Sequence, residues 1–359
     1  MPDVAFILPD FRMGGAEKVA LCVIEYLVSQ GCSVDLVLLR RDGELLGMLP
    51  PEVKIVDLGA RRIRNAVRPL IRYLAQQKPG TIQASMWPIT IIAIVANFLA
   101  GRRAKVVVSN HAILSAEFPS RFRRAMIGST TKLFYPFADA RIAVSRGAGD
   151  DAAALSSLSP AEFTVVHNPI HLPSKISGDA RTEAAWDGAA LRILTVGRLK
   201  AIKDQALLIR AVARIPSEIH ARLVIAGSGE LESELKALAM QEGVTDRVCF
   251  IGSVEDPWPL YATAHVFVLP SHEESFGNVL VEALHAGLPI VSTPTVGARE
   301  VLSDGRYGTL IDDPTPDKLA ATIVATAAIE PDRPALKDRA QQLSGEASLE
   351  AYKALLCAC

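Results

Sequence analysis

The stretch LRILTVGRLKAIKDQALLIRAVARIPSEIHARLVIAG, residues 191–227, decides the fold. It places a helical pattern at 204–214 between two short apolar runs, 191–197 and 221–227. Apolar runs of this length are typical of strands buried on both faces, and a helix between two such strands is the crossover that a parallel sheet requires. The stretch therefore predicts one β-α-β unit of an α/β domain.

The same alternation continues on both sides of this unit. Downstream, strands are predicted at 246–252, 264–270, 288–293 and 308–313, and helices at 230–242, 256–263 and 277–286. Upstream, strands are predicted at 4–8, 34–39, 54–58, 105–109 and 141–145, and helices at 16–30, 65–77, 89–100 and 120–135. The pattern predicts two doubly wound, Rossmann-like α/β domains. Since ligands bind outside the carboxyl ends of such strands, we expect the site in a cleft where the two sheets face each other.

The domain limits follow from length and composition. A chain of 359 residues is about twice a typical domain length. The polar stretch from His171 to Ala190 has no apolar periodicity and is broken by Pro173 and Gly178, so we interpret it as a linker. We expect a first domain at 1–172, a second at 188–345, and a C-terminal helix at 346–359 that could return to the first domain.

Charge is balanced overall but divided unevenly. Lys and Arg total 38 against 39 Asp and Glu, which argues against nucleic-acid binding. Residues 1–178 hold 21 basic and 14 acidic side chains, a net charge of about +7, and the remainder has 17 and 25, about −8. A basic half next to an acidic half fits an anionic partner such as a membrane surface, and it equally fits ordinary surface variation.

Cysteine usage and hydropathy predict a cytoplasmic location. The five cysteines are sparse and odd in number, which suits a reducing compartment. The first residues lack a basic n-region, so no secretory signal is expected. The longest apolar run begins at Ile89 and is too short to span a bilayer, so we interpret it as a buried helix.

The stretch SHEESFGNVLVEALHAGLPIVST, residues 271–293, places two carboxylates around a helix start. Gly277 would let the backbone approach a ligand closely, and the free N–H groups of the first turn favour an anion. Glu274 and Glu282 would then accept hydrogen bonds from sugar and ribose hydroxyls. On a helical wheel Glu282 and His285 share the polar face, so Glu282 could instead be a solvated surface residue.

The stretch VGRLKAIKD places two cations after the strand at 191–197. Arg198 and Lys203 at the carboxyl edge of a sheet suit a diphosphate, although as an isolated pair they would be ordinary surface cations. Gly227 follows the next strand in IAGSGE, a strand-glycine-helix turn that permits close approach of a ligand but is common.

These motifs together resemble the GT4 family of retaining glycosyltransferases, which has the GT-B fold. The resemblance is carried by GRL with Lys203, by AGSGE, and above all by PSHEESFGNVLVEALHAGLPIVST with its Glu-x7-Glu pair. It extends to MGGAE at 13–17, SNHA at 109–112, AVS at 143–145 and HNPI at 167–170, and so covers nearly the whole chain. SMWP at 85–88 departs from the His-rich strand end of many family members.

The resemblance implies that the domain at 1–172 binds the acceptor and the domain at 188–345 binds the donor, and it implies a role for each matching residue. Arg198 and Lys203 would bind the donor diphosphate, Glu282 the donor ribose, and Glu274 the transferred sugar. His111 would approach that sugar, although the residue alone suggests a structural histidine at a strand end. The backbone around the helix start and two glycine turns complete the expected donor site, at Phe276, Gly277, Asn278, Val279, Gly227, Gly14 and Gly15.

The reaction implied by the resemblance is transfer of a sugar from a nucleotide diphosphate, favouring UDP, to a hydroxyl of a lipid-linked saccharide or polysaccharide precursor. The sequence has no Asp-x-Asp motif, so we expect no metal and no cofactor, with the cations stabilising the departing phosphate. Two rivals remain open: a sugar-nucleotide epimerase of the same fold and a non-catalytic nucleotide-sugar binding protein. A nicotinamide-linked dehydrogenase is disfavoured, because no Gly-x-Gly-x-x-Gly follows the first strand.

Two basic stretches in the first half suggest contact with an anionic membrane. Arginines at helical spacing occupy 61–72, and a second cluster at 121–132 lies beside aromatic residues. Solvated helix faces would explain both stretches nearly as well, and Pro69 is expected to interrupt the first. The residues concerned are Arg61, Arg64, Arg68, Arg72, Arg121, Arg123, Arg124 and Lys132, with Phe122, Phe134 and Tyr135.

Overall fold

The fold is that of a computed structural model, which describes residues 1–117 and 120–357 apart from the side chains of Glu117, Ala180 and Arg181. The chain divides into two compact units. One comprises Met1–His171 with Ser344–Cys359, and the other Leu172–Leu343. The last two positions expected in the C-terminal helix, the second of which is Cys359, lie outside the described residues.

The first unit is built on a parallel sheet with the strand order β3-β2-β1-β4-β5-β6-β7. The order reverses direction between β1 and β4, which is the switch point of a doubly wound sheet. The strands are β1 (Val4–Leu8), β2 (Val34–Leu38), β3 (Lys54–Asp57), β4 (Thr81–Ser85), β5 (Lys105–Asn110), β6 (Ala140–Ala143) and β7 (Thr164–Val165).

Helices cover both faces of this sheet, and each face has its own apolar core. One core includes Leu70, Ile94 and Tyr135, and the other includes Ile24, Leu27 and Tyr352. The helices of this unit are α1 (Gly15–Ser29), α2 (Val67–Gln77), α3 (Ile89–Leu99), α4 (Leu114–Glu117), α5 (Arg121–Phe134), α6 (Arg146–Ser156) and α15 (Glu346–Leu356).

Helix α3 carries the longest apolar run. Its inner face is buried, whereas Phe98 and Leu99 at its end are exposed. Within the described residues, none of the helices combines the length and apolar character needed to cross a bilayer.

Strand β4 is the central element that sequence patterning missed. Its residues TIQAS are all buried, yet Thr81, Gln83 and Ser85 are polar and break any apolar run. Gln83 Nε2 donates to Ser85 Oγ over 2.9 Å, whereas the buried Gln83 Oε1 has no hydrogen-bond partner within the described residues. Strand β7 and helix α6 were also missed.

The second unit contains a parallel sheet with the order β10-β9-β8-β11-β12-β13. Here the switch point lies between β8 and β11. The strands are β8 (Leu191–Val196), β9 (Ala221–Ala226), β10 (Val248–Gly252), β11 (Val266–Leu269), β12 (Ile290–Ser292) and β13 (Thr309–Leu310). The helices are α7 (Ala180–Trp186), α8 (Gln205–Arg214), α9 (Glu232–Gln241), α10 (Trp258–Thr263), α11 (Asn278–Ala286), α12 (Val296–Val301), α13 (Pro316–Ala327) and α14 (Arg333–Ser344).

The stretch that we interpreted as a linker contains helix α7. Asp179 caps the helix by accepting a 2.7 Å hydrogen bond from the Thr182 backbone N–H. Trp186 at its end is fully buried, and its indole N–H donates to Thr263 Oγ1 over 2.8 Å. The linker interpretation did not predict a helix over 180–186, because one buried aromatic residue anchors the helix without any apolar periodicity.

Candidate functional site in the second unit

The predicted donor residues follow β8 and β11, the two strands on either side of the switch point. The strands are parallel neighbours, with Ile193 opposite Val266 and Leu194 opposite Phe267. Their carboxyl ends therefore meet at one edge, where the loops leaving them carry Arg198 and Lys203 from β8 and Glu274 from β11. Such an edge is the standard ligand position in an open α/β sheet.

Backbone and side-chain hydrogen bonds fix these two loops. The buried side chain of Gln205, at the start of α8, donates from Nε2 to the Arg198 carbonyl over 3.0 Å. The His272 N–H donates to the Ile202 carbonyl over 2.8 Å and so ties one loop to the other. Arg198 itself is exposed at this edge.

Lys203 and Glu274 are in direct contact. Lys203 Nζ lies 2.5 Å from Glu274 Oε1, and Ser271 Oγ donates to the same oxygen over 2.8 Å. Each ammonium has three donors, so the ion pair orients Lys203 without using all of its hydrogen-bonding capacity. The structure therefore brings Lys203, which is predicted to bind phosphate, into contact with Glu274, which is predicted to bind the sugar.

Helix α11 begins at this site without a side-chain cap. Gly277 at its N-cap has φ +89°, and a Cβ there would lie 3.1 Å from Leu280 Cδ1, so glycine is required. Phe276 is buried, and its backbone packs so closely on Gly297 that a Cβ on Gly297 would come within 2.6 Å of it. The first-turn N–H groups around Asn278 and Val279 are thus presented at a rigid helix start.

Glu282 is held by a buried tyrosine on α10. Tyr261 donates its hydroxyl to Glu282 Oε2 over 2.7 Å. Burial and the neighbouring carboxylate raise the pKa of Tyr261 well above its ordinary value, so the phenol keeps its proton and remains a donor. The position of the Glu282 carboxylate is therefore fixed, which a solvated surface glutamate would not require.

His285 does not share a polar face with Glu282 as the helical wheel suggested. It is buried, its Nε2 lies 2.7 Å from the Pro173 carbonyl, and its ring packs edge-on against Trp258 at 5.5 Å. The wheel failed here because α10 and the segment after His171 cover that side of α11.

Gly227 shows close approach, and the approaching group is protein backbone. Its φ is +147°, and a Cβ would lie 1.9 Å from the Gly197 carbonyl oxygen. Gly229 makes a similar approach to Leu199. These glycines pack the β9 turn against the loop that carries Arg198, so they shape the predicted phosphate-binding loop from behind.

His111 lies in the first unit, directly after β5. Its Nε2 is 2.9 Å from Ser109 Oγ and 3.4 Å from Ser85 Oγ, at the ends of adjacent strands. Burial lowers the pKa of His111 to about 4, so the imidazole is neutral near pH 7. It can exchange hydrogen bonds with a ligand there, but it supplies no positive charge.

Gly14 and Gly15 form the start of α1 in the first unit. Gly14 is the N-cap, with φ −118°, and Gly15 is the first helical residue. A Cβ on Gly15 would meet nothing within 4 Å, and its φ is not positive. The backbone at Gly15 therefore does not require glycine, and the position is open space at a strand-helix turn.

The structure also supplies partners that sequence reasoning missed. Ser271 stands three residues before Glu274 within the acidic motif, so its contact could have been inferred from the turn. Nothing in the sequence predicts the contact of Tyr261 with Glu282, because a single tyrosine in a short helix gives no reason to pair the two residues. In the described chain, no group of three or more His, Cys, Asp or Glu side chains is arranged to hold a metal ion.

Comparison with known proteins shows the family and the fold. A family model for glycosyl transferases group 1 matches residues 179–343, and one for glycosyltransferase family 4 matches residues 13–173. The crystal structure of Anabaena HepE in complex with UDP and glucose superposes with a TM-score of 0.82 at 20% identity, covering 99% of this chain and 98% of that one. Two parallel α/β units of this kind define the GT-B fold.

Two curated relatives extend the comparison. An N-acetylgalactosamine-N,N'-diacetylbacillosaminyl-diphospho-undecaprenol 4-alpha-N-acetylgalactosaminyltransferase of Campylobacter jejuni is 31% identical over 226 residues, covering 62% of this chain and 60% of its own. A D-inositol 3-phosphate glycosyltransferase of Mycolicibacterium gilvum is 30% identical over 269 residues, covering 72% of this chain and 58% of its own. The matches thus span less than two thirds of either relative. With both family models matched, the chain belongs to the group 1 glycosyltransferases of family 4.

Proposed function

We propose that the protein is a retaining glycosyltransferase that moves a hexosyl or N-acetylhexosaminyl group from a UDP-sugar to a hydroxyl of a lipid-linked saccharide or polysaccharide precursor. The observation that carries the proposal is the contact between Lys203 and Glu274 at the switch point of the second sheet. It joins a cation suited to a diphosphate to a carboxylate suited to sugar hydroxyls. A donor that spans the two groups has the chemistry of a sugar nucleotide.

The diphosphate would be held by positive charge and helix dipole together. Arg198 supplies a planar guanidinium, Lys203 supplies an ammonium, and the uncapped start of α11 at Gly277 supplies backbone N–H groups. As the glycosidic bond breaks, charge grows on the departing phosphate, and fixed donors of this kind stabilise it by several kcal/mol. This set would do the work of a divalent metal, so we propose that transfer is metal-independent.

The two glutamates would bind different sugars of the donor. The hydrogen bonds that Glu274 accepts within the described chain both use Oε1, so Oε2 would take a hydroxyl of the transferred sugar. Glu282, oriented by Tyr261, would take the ribose hydroxyls. The backbone from Phe276 to Val279 would meet the sugar and phosphate, and Gly227 would support the phosphate loop.

The first unit would contribute the remaining contacts. His111 would donate or accept a hydrogen bond at the transferred sugar as a neutral imidazole. Gly15 leaves room at the start of α1, where Gly14 and Gly15 would admit the donor phosphate. Attack from the face that the phosphate leaves would retain configuration, with a phosphate oxygen accepting the acceptor's proton and the cations holding that phosphate nearby. A covalent intermediate is the alternative route to retention.

The relatives support the donor and acceptor classes. HepE was crystallised with UDP and glucose, and the Campylobacter relative's name specifies a diphospho-undecaprenol-linked acceptor. These are properties of those proteins, and we extend them to this chain as part of the proposal. A lipid-linked acceptor would place the enzyme in the cytoplasm, peripheral to the inner face of an anionic membrane.

Incubation of the full chain with UDP-sugars and undecaprenyl-diphosphate-linked saccharides tests the proposal. We expect UDP release coupled to an acceptor mass increase of one sugar, with the donor's anomeric configuration kept in the product NMR spectrum. Addition of EDTA should leave the rate unchanged. Inverted product would contradict retention, and loss of activity in EDTA that Mg²⁺ restores would contradict metal independence.

The same assay separates the rival functions. Conversion of the sugar nucleotide to an isomer of equal mass without acceptor would identify an epimerase. Nucleotide-sugar affinity without turnover across the acceptor panel would identify a binding protein. Either result would overturn the proposed transfer.

A further inference from the structure

Helix α5 of the first unit presents an apolar stripe to solvent. At 3.6 residues per turn, Phe122, Met126 and Leu133 lie within about 40° of one another around the helix axis. Phe122 is 77% exposed and Leu133 60%. The helix is attached to the core on its other side by Ile127 and Thr131, which are fully buried. The stripe is therefore unpartnered within the described chain.

Exposed cations flank the stripe on both sides. Measured around the helix axis from Phe122, Arg121 and Lys132 lie about 80–100° away in one direction, and Arg123 lies about 100° away in the other. All three are exposed. An apolar strip between two cationic edges is the arrangement of helices that lie in the interface of an anionic bilayer.

A separate apolar groove lies between the ends of α5 and α3. It has a cavity volume of about 190 Å³ and is lined by Val95, Phe98, Leu99, Phe134 and Phe137. Phe98, Leu99 and Phe137 are exposed at its edge. At its rim, the Arg102 guanidinium lies 6.0 Å from the centroid of the Phe137 ring, so a cation stands beside the apolar opening.

We propose that this face, formed by α5 and the end of α3, docks on an anionic phospholipid bilayer. The stripe would enter the acyl boundary while the flanking cations contact lipid phosphates. The excess of basic residues in the first half of the sequence points to the same partner. The biological role of this docking rests on the proposed function, because the enzyme would meet a lipid-linked acceptor at the bilayer surface.

Helix α2 and the segment just before it do not offer such a face, although their arginines suggested one. Arg61, Arg64, Arg68 and Arg72 are exposed, but the apolar residues Leu70, Tyr73 and Leu74 are all buried. These arginines would add long-range attraction without insertion. Tyr135, which the sequence grouped with the α5 cluster, is fully buried as well.

Co-sedimentation of the full chain with vesicles tests the apolar part of the proposal. We expect the wild type to bind vesicles of phosphatidylglycerol and phosphatidylcholine, and the Phe122→Ser/Leu133→Ser variant to bind at least fivefold more weakly. The matched control is Met240→Ser/Ile329→Ser, which removes two residues of similar exposure, 71% and 65%, from the second unit. The control should bind as the wild type does.

Charge is tested in the same assay. Arg121→Gln/Lys132→Gln should weaken binding to anionic vesicles severalfold, whereas Lys175→Gln/Lys337→Gln, which removes two exposed cations elsewhere, should not. Binding of all proteins should fall in pure phosphatidylcholine and in high salt.

The proposal is overturned if the wild type does not bind anionic vesicles, if it binds neutral vesicles equally well, or if the α5 variants bind like their controls. Circular dichroism confirms that each variant is folded, and an unfolded variant is replaced by Leu133→Ser alone. Vesicle binding is measured without donor or acceptor, so its outcome is independent of sugar transfer. Loss of transfer with intact vesicle binding would count only against the proposed function.

Discussion

Lys203 and Lys200 differ in their surroundings although they stand three positions apart in one loop. Lys203 contacts Glu274, whereas Lys200 is exposed. We predict that Lys203→Ala lowers turnover by about 10²–10³ while changing the acceptor KM much less, because the lost interaction strengthens as the phosphate departs. Lys200→Ala is the matched control and should retain near wild-type turnover. Equal losses in the two variants would remove the specific role of Lys203.

His111 makes stability depend on pH in a defined direction. Its pKa falls from 6.5 in a free side chain to about 4 in the folded protein. The unfolded chain therefore binds more protons between these values, so the contribution of His111 to the free energy of unfolding is present above pH 6.5 and is lost as the pH falls toward 4. We predict a smaller drop in Tm between about pH 7 and pH 5 for His111→Asn than for the wild type.

The control for this pH dependence is His220→Asn. His220 is exposed and has φ +47°, a backbone conformation that asparagine tolerates. Its Tm should fall with pH as the wild type's does. A His111→Asn curve parallel to both would contradict the assignment of the shifted pKa.

The sequence predicted only part of the arrangement of the candidate site. Proximity of Lys203 and Glu274 followed from topology, since both come after strands whose carboxyl ends meet. Topology did not predict that the Tyr261 hydroxyl lies beside Glu282, or that His285 is buried. Both features depend on how α10 packs on α11. Gly227 was predicted to permit close approach of a ligand; the structure shows close approach of the Gly197 backbone, and the contact with a ligand stays a prediction.

Among the elements, helices α11 and α1 each begin at a glycine that was predicted to lie in the donor site. The two glycines differ in backbone conformation and in the space around them. Gly277 has a positive φ and little space, whereas Gly15 has neither constraint. We predict that Gly277→Ala lowers the free energy of unfolding by about 1–2 kcal/mol and weakens UDP binding. Gly15→Ala should be neutral or stabilise by up to about 1 kcal/mol. Urea titration checks both, and equal effects would contradict the backbone argument.

Apolar runs predicted most of the buried strands but missed several elements, two of which show why. Strand β4 is buried but polar on alternate residues, and α7 is polar with one anchoring tryptophan. In both cases tertiary hydrogen bonds or a single buried ring replace the continuous apolar surface on which patterning depends. Such elements become visible only when their neighbours are known.

On the scale of the whole molecule, α15 completes the first unit from the far end of the chain. Tyr352 and Leu356 are buried in the α1 core, and Lys105 Nζ donates to the Leu355 carbonyl over 2.8 Å. We predict that Tyr352→Ala destabilises the first unit by about 3–5 kcal/mol, as expected for a large ring removed from a core. Ile329→Ala, at an exposed position, should change stability by less than about 0.5 kcal/mol. Similar urea midpoints for the two variants would contradict the packing of α15.

Sugar transfer as we propose it requires that positive charge in the second unit receives a nucleoside diphosphate. Isothermal titration of UDP into the full chain measures this directly, with Arg198→Ala/Lys203→Ala as the variant and Lys175→Ala/Lys200→Ala as the control of equal charge. We predict that UDP binds the wild type and the control alike, and the Arg198/Lys203 variant at least tenfold more weakly. Equal affinity of all three proteins for UDP would contradict the central claim.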